Sequence, residues 1–137
     1  MAEKLSGSPV CATIAVKDLN KSRKFYEDLL GYKPMQEMGE GEGGEAVMYM
    51  GAQGTGILVY VSEENAGTNK ATCASWMVKD LDGVLAELKA GGVEFEDYDQ
   101  PGLKTKDGVA TWEEGGKSMR AAWFRDPDGN ILNVAEM

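Results

Sequence analysis

The chain has 137 residues, a formal net charge of −9 and 42% hydrophobic residues, which suits one compact domain or two intimate half-domains. The acidic balance excludes a nucleic-acid footprint, which needs clustered basic side chains, and argues against anionic membranes; it fits either a cationic ligand or an ordinary solvated surface. Histidine is absent, so Ser-His-Asp triads, Cys-His pairs and imidazole metal ligands are excluded.

The first segment, MAEKLSGSP, has no apolar stretch behind its lysine, unlike a secretory signal. No apolar run reaches the roughly 18–20 residues of a membrane span. With two cysteines and no signal, the expected setting is reducing and cytoplasmic.

Residues 10–16, VCATIAV, read as a strand, and Asp18 as the N-cap of a helix. Leu19, Ser22, Tyr26 and Leu29 recur at helical spacing, and Gly31 stops the run. Residues 32–38 and 45–50 read as a hairpin around GEGEGG, and residues 56–61, GILVYV, as a fourth strand. The order is β-α-β-β-β. SEENAGTNK, at 62–70, has linker composition.

The second half repeats the order. TCASWMV at 72–78 is a strand, and Asp80 caps a helix whose Leu81, Val84, Leu85 and Leu88 share a face. Gly91-Gly92 ends it, and Val93–Phe95 begins a strand. The sequence predicts an irregular stretch over 97–117, a strand over 118–125, a type I turn at Asp126-Pro-Asp-Gly129 and a last strand over 131–136.

CATIAVKDLN at 11–20 and CASWMVKDLD at 73–82 share Cys, Ala, Val, Lys, Asp and Leu at an offset of 62. Such self-similarity marks a duplicated unit. The predicted organisation is a first unit over 1–61, a linker over 62–70 and a second unit over 71–137. Strand alternation turns Ala12, Ile14 and Val16 toward the first helix and Ala74, Trp76 and Val78 toward the second. Cys11, Thr13 and Ala15, and likewise Cys73, Ser75 and Met77, then face a groove.

Three apparent motifs fail on context. The GxGxxG of Gly39–Gly44 is interleaved with glutamates and opens no helix. Asp126-x-Asp128-x-Asn130 lacks the glycine and the bidentate glutamate of a calcium loop. Glu113 and Glu114 are adjacent on an extended segment and point apart.

Three segments together carry a family resemblance: ATIAVKDLNKSRKFYEDLLGY at 12–32, ASWMVKDLDGVLAELKAGGVEF at 74–95 and AAWFRDPDGNILNVAE at 121–136. The chain resembles the vicinal oxygen chelate superfamily, which includes glyoxalase I, bleomycin-resistance proteins and extradiol dioxygenases. The resemblance implies an α+β fold: two tandem βαβββ units form a curved, cup-shaped mixed sheet, helices outside and ligand within. Enzymes of that family hold a divalent metal on the first and last strands of each unit. The matching positions here are Cys11, Tyr60, Cys73 and Asn133. Two thiols, a phenol and an amide are a poor set for hard cations. Zinc between the two thiols, or a Cys11–Cys73 disulfide, are the alternatives this pair raises.

The expectation is therefore a metal-independent protein, with no cofactor, that binds or sequesters a small organic molecule, cationic or aromatic. Its lining would be Cys11, Thr13, Tyr60, Cys73, Ser75, Met77, Trp112, Trp123 and Asn133, with Tyr98 among the nearby aromatics. A glyoxalase-like lyase, isomerase or dioxygenase with an atypical metal or thiol site is the alternative; a regulatory subunit that has lost the chemistry is a third. The resemblance also implies a homodimer.

Overall fold

A computed structural model describes residues 4–39 and 45–136, the side chain of residue 114 excepted. The architecture is α+β, and the chain divides into two compact units, Met1–Thr68 and Asn69–Met137.

In unit one, β1 (Cys11–Val16) leads into α1 (Leu19–Arg23), followed by β2 (Pro34–Met38), β3 (Ala46–Met50) and β4 (Gly56–Val61). The sheet order is β1-β4-β3-β2, with β4 parallel to β1 and antiparallel to β3. Parallel pairing of the first and last strands requires a crossover, which the helix supplies. Asp18 caps that helix: its Oδ1 accepts from the backbone N–H of Asn20 at 2.9 Å. The predicted plain α-helix is corrected past Arg23, where Lys24–Leu29 widens into a π-helical turn and the Leu30 N–H reaches Phe25 O at 3.1 Å. The wider turn lets the consecutive Phe25 and Tyr26 both bury. Ser22, at the same bend, is fully buried, and its Oγ has no hydrogen-bond partner among the described residues. The GEGEGG turn lies outside the described residues at 40–44.

The helix-side face of this sheet is the core of unit one. Ile14, Val16, Val47, Tyr49, Ile57 and Val59 are all buried there. Tyr49 donates its hydroxyl to Glu27 Oε2 at 2.8 Å, and Glu27 also accepts from Arg23 Nε at 2.6 Å. Arg23 in turn pairs with Glu37. After β4, Ser62 N–H donates to Val16 O at 2.9 Å and Ala66 is buried.

In unit two, β5 (Thr72–Val78) precedes α2 (Leu81–Ala90), then β6 (Asp99–Gln100), β7 (Leu103–Lys106), β8 (Val109–Glu114), β9 (Lys117–Arg125) and β10 (Ile131–Glu136). The sheet order is β5-β10-β9-β8-β7-β6. Strands β5, β10, β9 and β8 repeat the pairing pattern of unit one, and β7 and β6 extend it. The irregular stretch expected over 97–117 is corrected: it holds three strands and the start of a fourth. Asp107 and Gly108 both take positive φ (53° and 82°), as do Gly115 and Gly116 (60° and 79°). These are two-residue hairpin turns, whose geometry favours Asp-Gly and Gly-Gly. Val93–Phe95, expected to begin a strand, makes only an isolated bridge, Phe95 to Phe124. Gly129 N–H closes on Asp126 O at 3.0 Å, as the predicted turn requires.

Leu81, Leu85 and Leu88 of α2 are buried with Ala122, Phe124, Leu132 and Val134 of the sheet. Arg120 on the same face binds Glu136 at 2.8 Å and Asp82 of α2 at 3.1 Å.

Candidate ligand-binding site

Cross-strand register decides which predicted residues share a face, because directly paired residues point the same way. In unit one, the rows Cys11–Gly56–Met50, Thr13–Leu58–Met48 and Ala15–Tyr60–Ala46 form the face away from the helix. Cys11, Thr13 and Ala15 therefore share a face, as strand alternation requires, and Tyr60, directly paired with Ala15, lies on it too. Gly56 is required between them: a Cβ there would stand 2.9 Å from Tyr49 O and 3.2 Å from Met48 Cε. Sequence reasoning missed the methionines of this face, although their period-two spacing in β3 marks it.

In unit two, the row Ser75–Asn133–Trp123 crosses β5, β10 and β9, and Met77–Ala135–Ala121 runs beside it. Trp112 pairs with Met119 on the same face. Ser75, Met77, Trp112, Trp123 and Asn133 are thus brought together. Cys73 departs from the pattern. Thr72 pairs with Ile131 and Ala74 with Leu132, which leaves Cys73 at a bulge. The two cysteines, equivalent in sequence, therefore sit differently: Cys11 is exposed and in register, whereas Cys73 is half-buried and out of it. Both are free thiols.

Three aromatic rings stand on this face. Trp123 makes edge-on contacts with Tyr98 (centroids 5.7 Å apart, planes at 87°) and with Trp112 (6.1 Å, 82°). Both indole N–H groups are held within the unit. That of Trp123 donates to Thr72 Oγ1 at 3.1 Å, and that of Trp112 to Gly102 O at 3.4 Å. Tyr98 is positioned by β7: its N–H donates to Thr105 Oγ1 at 2.8 Å, whose hydroxyl donates to Asp97 Oδ1 at 2.8 Å. Trp112 keeps 38% of its surface exposed, Met119 44% and Met77 61%. Asn133 is buried, and its Nδ2 donates to Ala122 O at 3.2 Å. The Asp107-Gly108 hairpin signal could have revealed the strand that carries Trp112. A separate recess of about 240 Å³ lies at the β8–β9 tip, lined by Glu113, Gly115, Gly116, Lys117 and Ser118; none of the predicted site residues lines it.

The residues at the metal positions of the resembled superfamily do not fit a hard divalent cation. Asn133 turns an amide donor into the sheet. Burial, followed by the nearby Asp126 carboxylate, pushes the Cys73 thiol up and favours S–H over the thiolate that a metal requires. Tyr60 offers a phenol, and hard ions take carboxylate, carbonyl and water oxygens. Among the described residues, no group of three or more His, Cys, Asp or Glu is placed to hold a metal ion. Nor is any helix there long and apolar enough to cross a membrane.

Residues 9–134 match the sequence model of the Glyoxalase/Bleomycin resistance protein/Dioxygenase superfamily. Solved structures agree in fold. TnmS3, an antibiotic binding protein from Streptomyces sp. CB03234, is 20% identical, with 92% of each chain covered and a TM-score of 0.65. A superfamily member from Sphaerobacter thermophilus DSM 20745 is 24% identical, with 93% of this chain and 94% of that chain covered and a TM-score of 0.66. FosX, a fosfomycin resistance protein from Listeria monocytogenes, is 16% identical, with 100% and 95% covered and a TM-score of 0.66. No curated protein matches the chain.

Proposed function

Because the chain belongs to the Glyoxalase/Bleomycin resistance protein/Dioxygenase superfamily, we propose that it binds and sequesters a small organic molecule without a resident metal. The observation that carries this reading is the Tyr98–Trp123–Trp112 cluster on the unit-two sheet, beside Ser75 and Asn133. Apolar surface with a few convergent polar groups is what small-molecule sites require. The two indole rings, each held by its own N–H bond, lose little freedom when a ligand stacks on them. An antibiotic-binding protein of the same fold adds support. The working form is a cytoplasmic homodimer. Cys11, Thr13 and Tyr60 belong to the proposed lining on the unit-one sheet.

The alternative is a glyoxalase-like lyase, isomerase or dioxygenase with an atypical metal or thiol site, and burial, which pushes the Cys73 thiol up, opposes a thiolate at that position. Elemental analysis of purified protein, followed by thermal unfolding with bleomycin-like and other aromatic compounds, tests the proposal. The expected result is substoichiometric metal and a ligand that stabilises by about 2.7 kcal/mol at 100 times its Kd. Stoichiometric metal that disappears in the Cys11→Ser, Cys73→Ser double variant would overturn it.

A further inference from the structure

We infer that the occupant of the unit-two sheet face is an uncharged, flat system of fused rings bearing a neutral hydrogen-bonding group. This rests on the binding reading above and narrows its ligand, since net charge and aromatic count alone admit a cation equally well.

The distribution of charge across the sheet carries the inference. Arg120, Asp82 and Glu136 lie on the helix side. The rows of the opposite face that run from Trp123 to Met119 contain only Ser, Asn, Ala, Met and Trp. Among the described residues, the charges that flank them are engaged or peripheral: Asp97, at the edge beside Tyr98, accepts from Thr105 Oγ1 and from the Gly108 N–H, both at 2.8 Å. Arg125 pairs with Glu96 and donates to Gly129 O at 3.3 Å. Asp126 is buried and its carboxylate accepts from the N–H of Asp128 at 3.0 Å and of Asn130 at 2.9 Å, and from Asn130 Nδ2 at 2.8 Å. Lys117 lies at the hairpin tip. The Tyr98 phenol, held above its ordinary range by burial and by Glu96, stays neutral through physiological pH.

A charged ligand stacked on the rows from Trp123 to Met119 would lose water and meet no charged side chain within those rows, a cost that burial of an unpaired charge carries. Cation–π attraction offsets only part of that cost. A neutral ring system loses little on desolvation and gains dispersion over the exposed Trp112. Both indole donors are already used within the unit, so the ligand need not satisfy them. Asn133 and Ser75, in one row with Trp123, supply the polar contact. Asn133 Oδ1 and its second N–H serve a carbonyl or N–H on the ring edge.

Three fluorescent tricyclic probes of similar size test this: neutral acridone, the 9-aminoacridinium cation and the 9-anthracenecarboxylate anion. Anisotropy titrations at 20 and 500 mM NaCl separate contact from long-range attraction, because the screening length is about 10 Å at 0.1 M and 3 Å at 1 M. Acridone is expected to bind at least about tenfold more tightly than either ion, a difference of ~1.4 kcal/mol. Its Kd should change less than about twofold with salt, and Trp112→Ala should weaken it about tenfold. Tighter binding of the cation at both salt concentrations would overturn the inference while leaving the binding function standing. If none of the three binds folded protein, both fall. The wild-type salt comparison remains decisive even where the Trp112 variant fails to fold.

Discussion

Replacing Tyr49 with Phe removes a single hydroxyl from the core of unit one and leaves the ring contacts with Tyr26 (centroids 6.3 Å apart) and Tyr32 (5.9 Å) in place. The lost bond is the 2.8 Å donation to Glu27 Oε2. A hydrogen bond to a charged group is worth about 1.5–3 kcal/mol. Glu27 retains Arg23, and 22% of its side chain is exposed to water that can replace the hydroxyl. The lower end, about 1.5 kcal/mol, is therefore expected, or a fall in Tm of about 6 °C for a chain of this size. Calorimetry on the wild type, Tyr49→Phe, Glu27→Gln and the double variant should give a coupling energy of about 1 kcal/mol.

The pH dependence of the same bond has a defined sign. Arg23, then the Tyr49 hydroxyl, hold the Glu27 carboxyl below its ordinary range against the opposing effect of burial. Its contribution is thus present above the unfolded value near ~4.3 and fades as pH falls through the folded one. Burial, then Glu27, raise the Tyr49 phenol. That contribution is present below about pH 10 and fades as pH rises beyond it. Tyr49→Phe should abolish the alkaline loss specific to this residue. A Tm change under about 1 °C with no coupling would refute the reasoning, because the network would then contribute nothing net.

Gly56→Ala should destabilise unit one by about 1–2 kcal/mol, since the new methyl group meets the Tyr49 carbonyl oxygen, which cannot rotate away; an unchanged urea midpoint would show that the strand yields freely. Iodoacetamide at neutral pH should label exposed Cys11 at least about tenfold faster than half-buried Cys73, whose thiol is pushed up. Peptide mass mapping over time reads the two rates, and equal rates would remove the distinction drawn between the two cysteines.

Much of this molecule could be read along the chain. Both first strands, both Asp-capped helices and the final turn declare themselves through alternation, helical spacing and cap chemistry, because each depends on neighbours a few residues away. The faces of Thr13, Ser75 and Met77 follow from the same period of two. Even the hairpins first read as an irregular stretch carry a local signal, the Asp107-Gly108 and Gly115-Gly116 dipeptides.

The site itself needed the fold. Tyr98, Trp112 and Trp123 meet only because β7, β8 and β9 fold back on one another, and no local pattern specifies that pairing. The bulge at Cys73 breaks the equivalence with Cys11 that ten residues of sequence similarity imply, since register belongs to the pair of strands and not to either one. The net charge of −9 belongs to the whole chain. Only the sheet decided that the rows from Trp123 to Met119 would carry none of it, because alternation and cross-strand pairing sent Arg120 and Glu136 to the opposite side, where Arg120 meets Asp82 of α2.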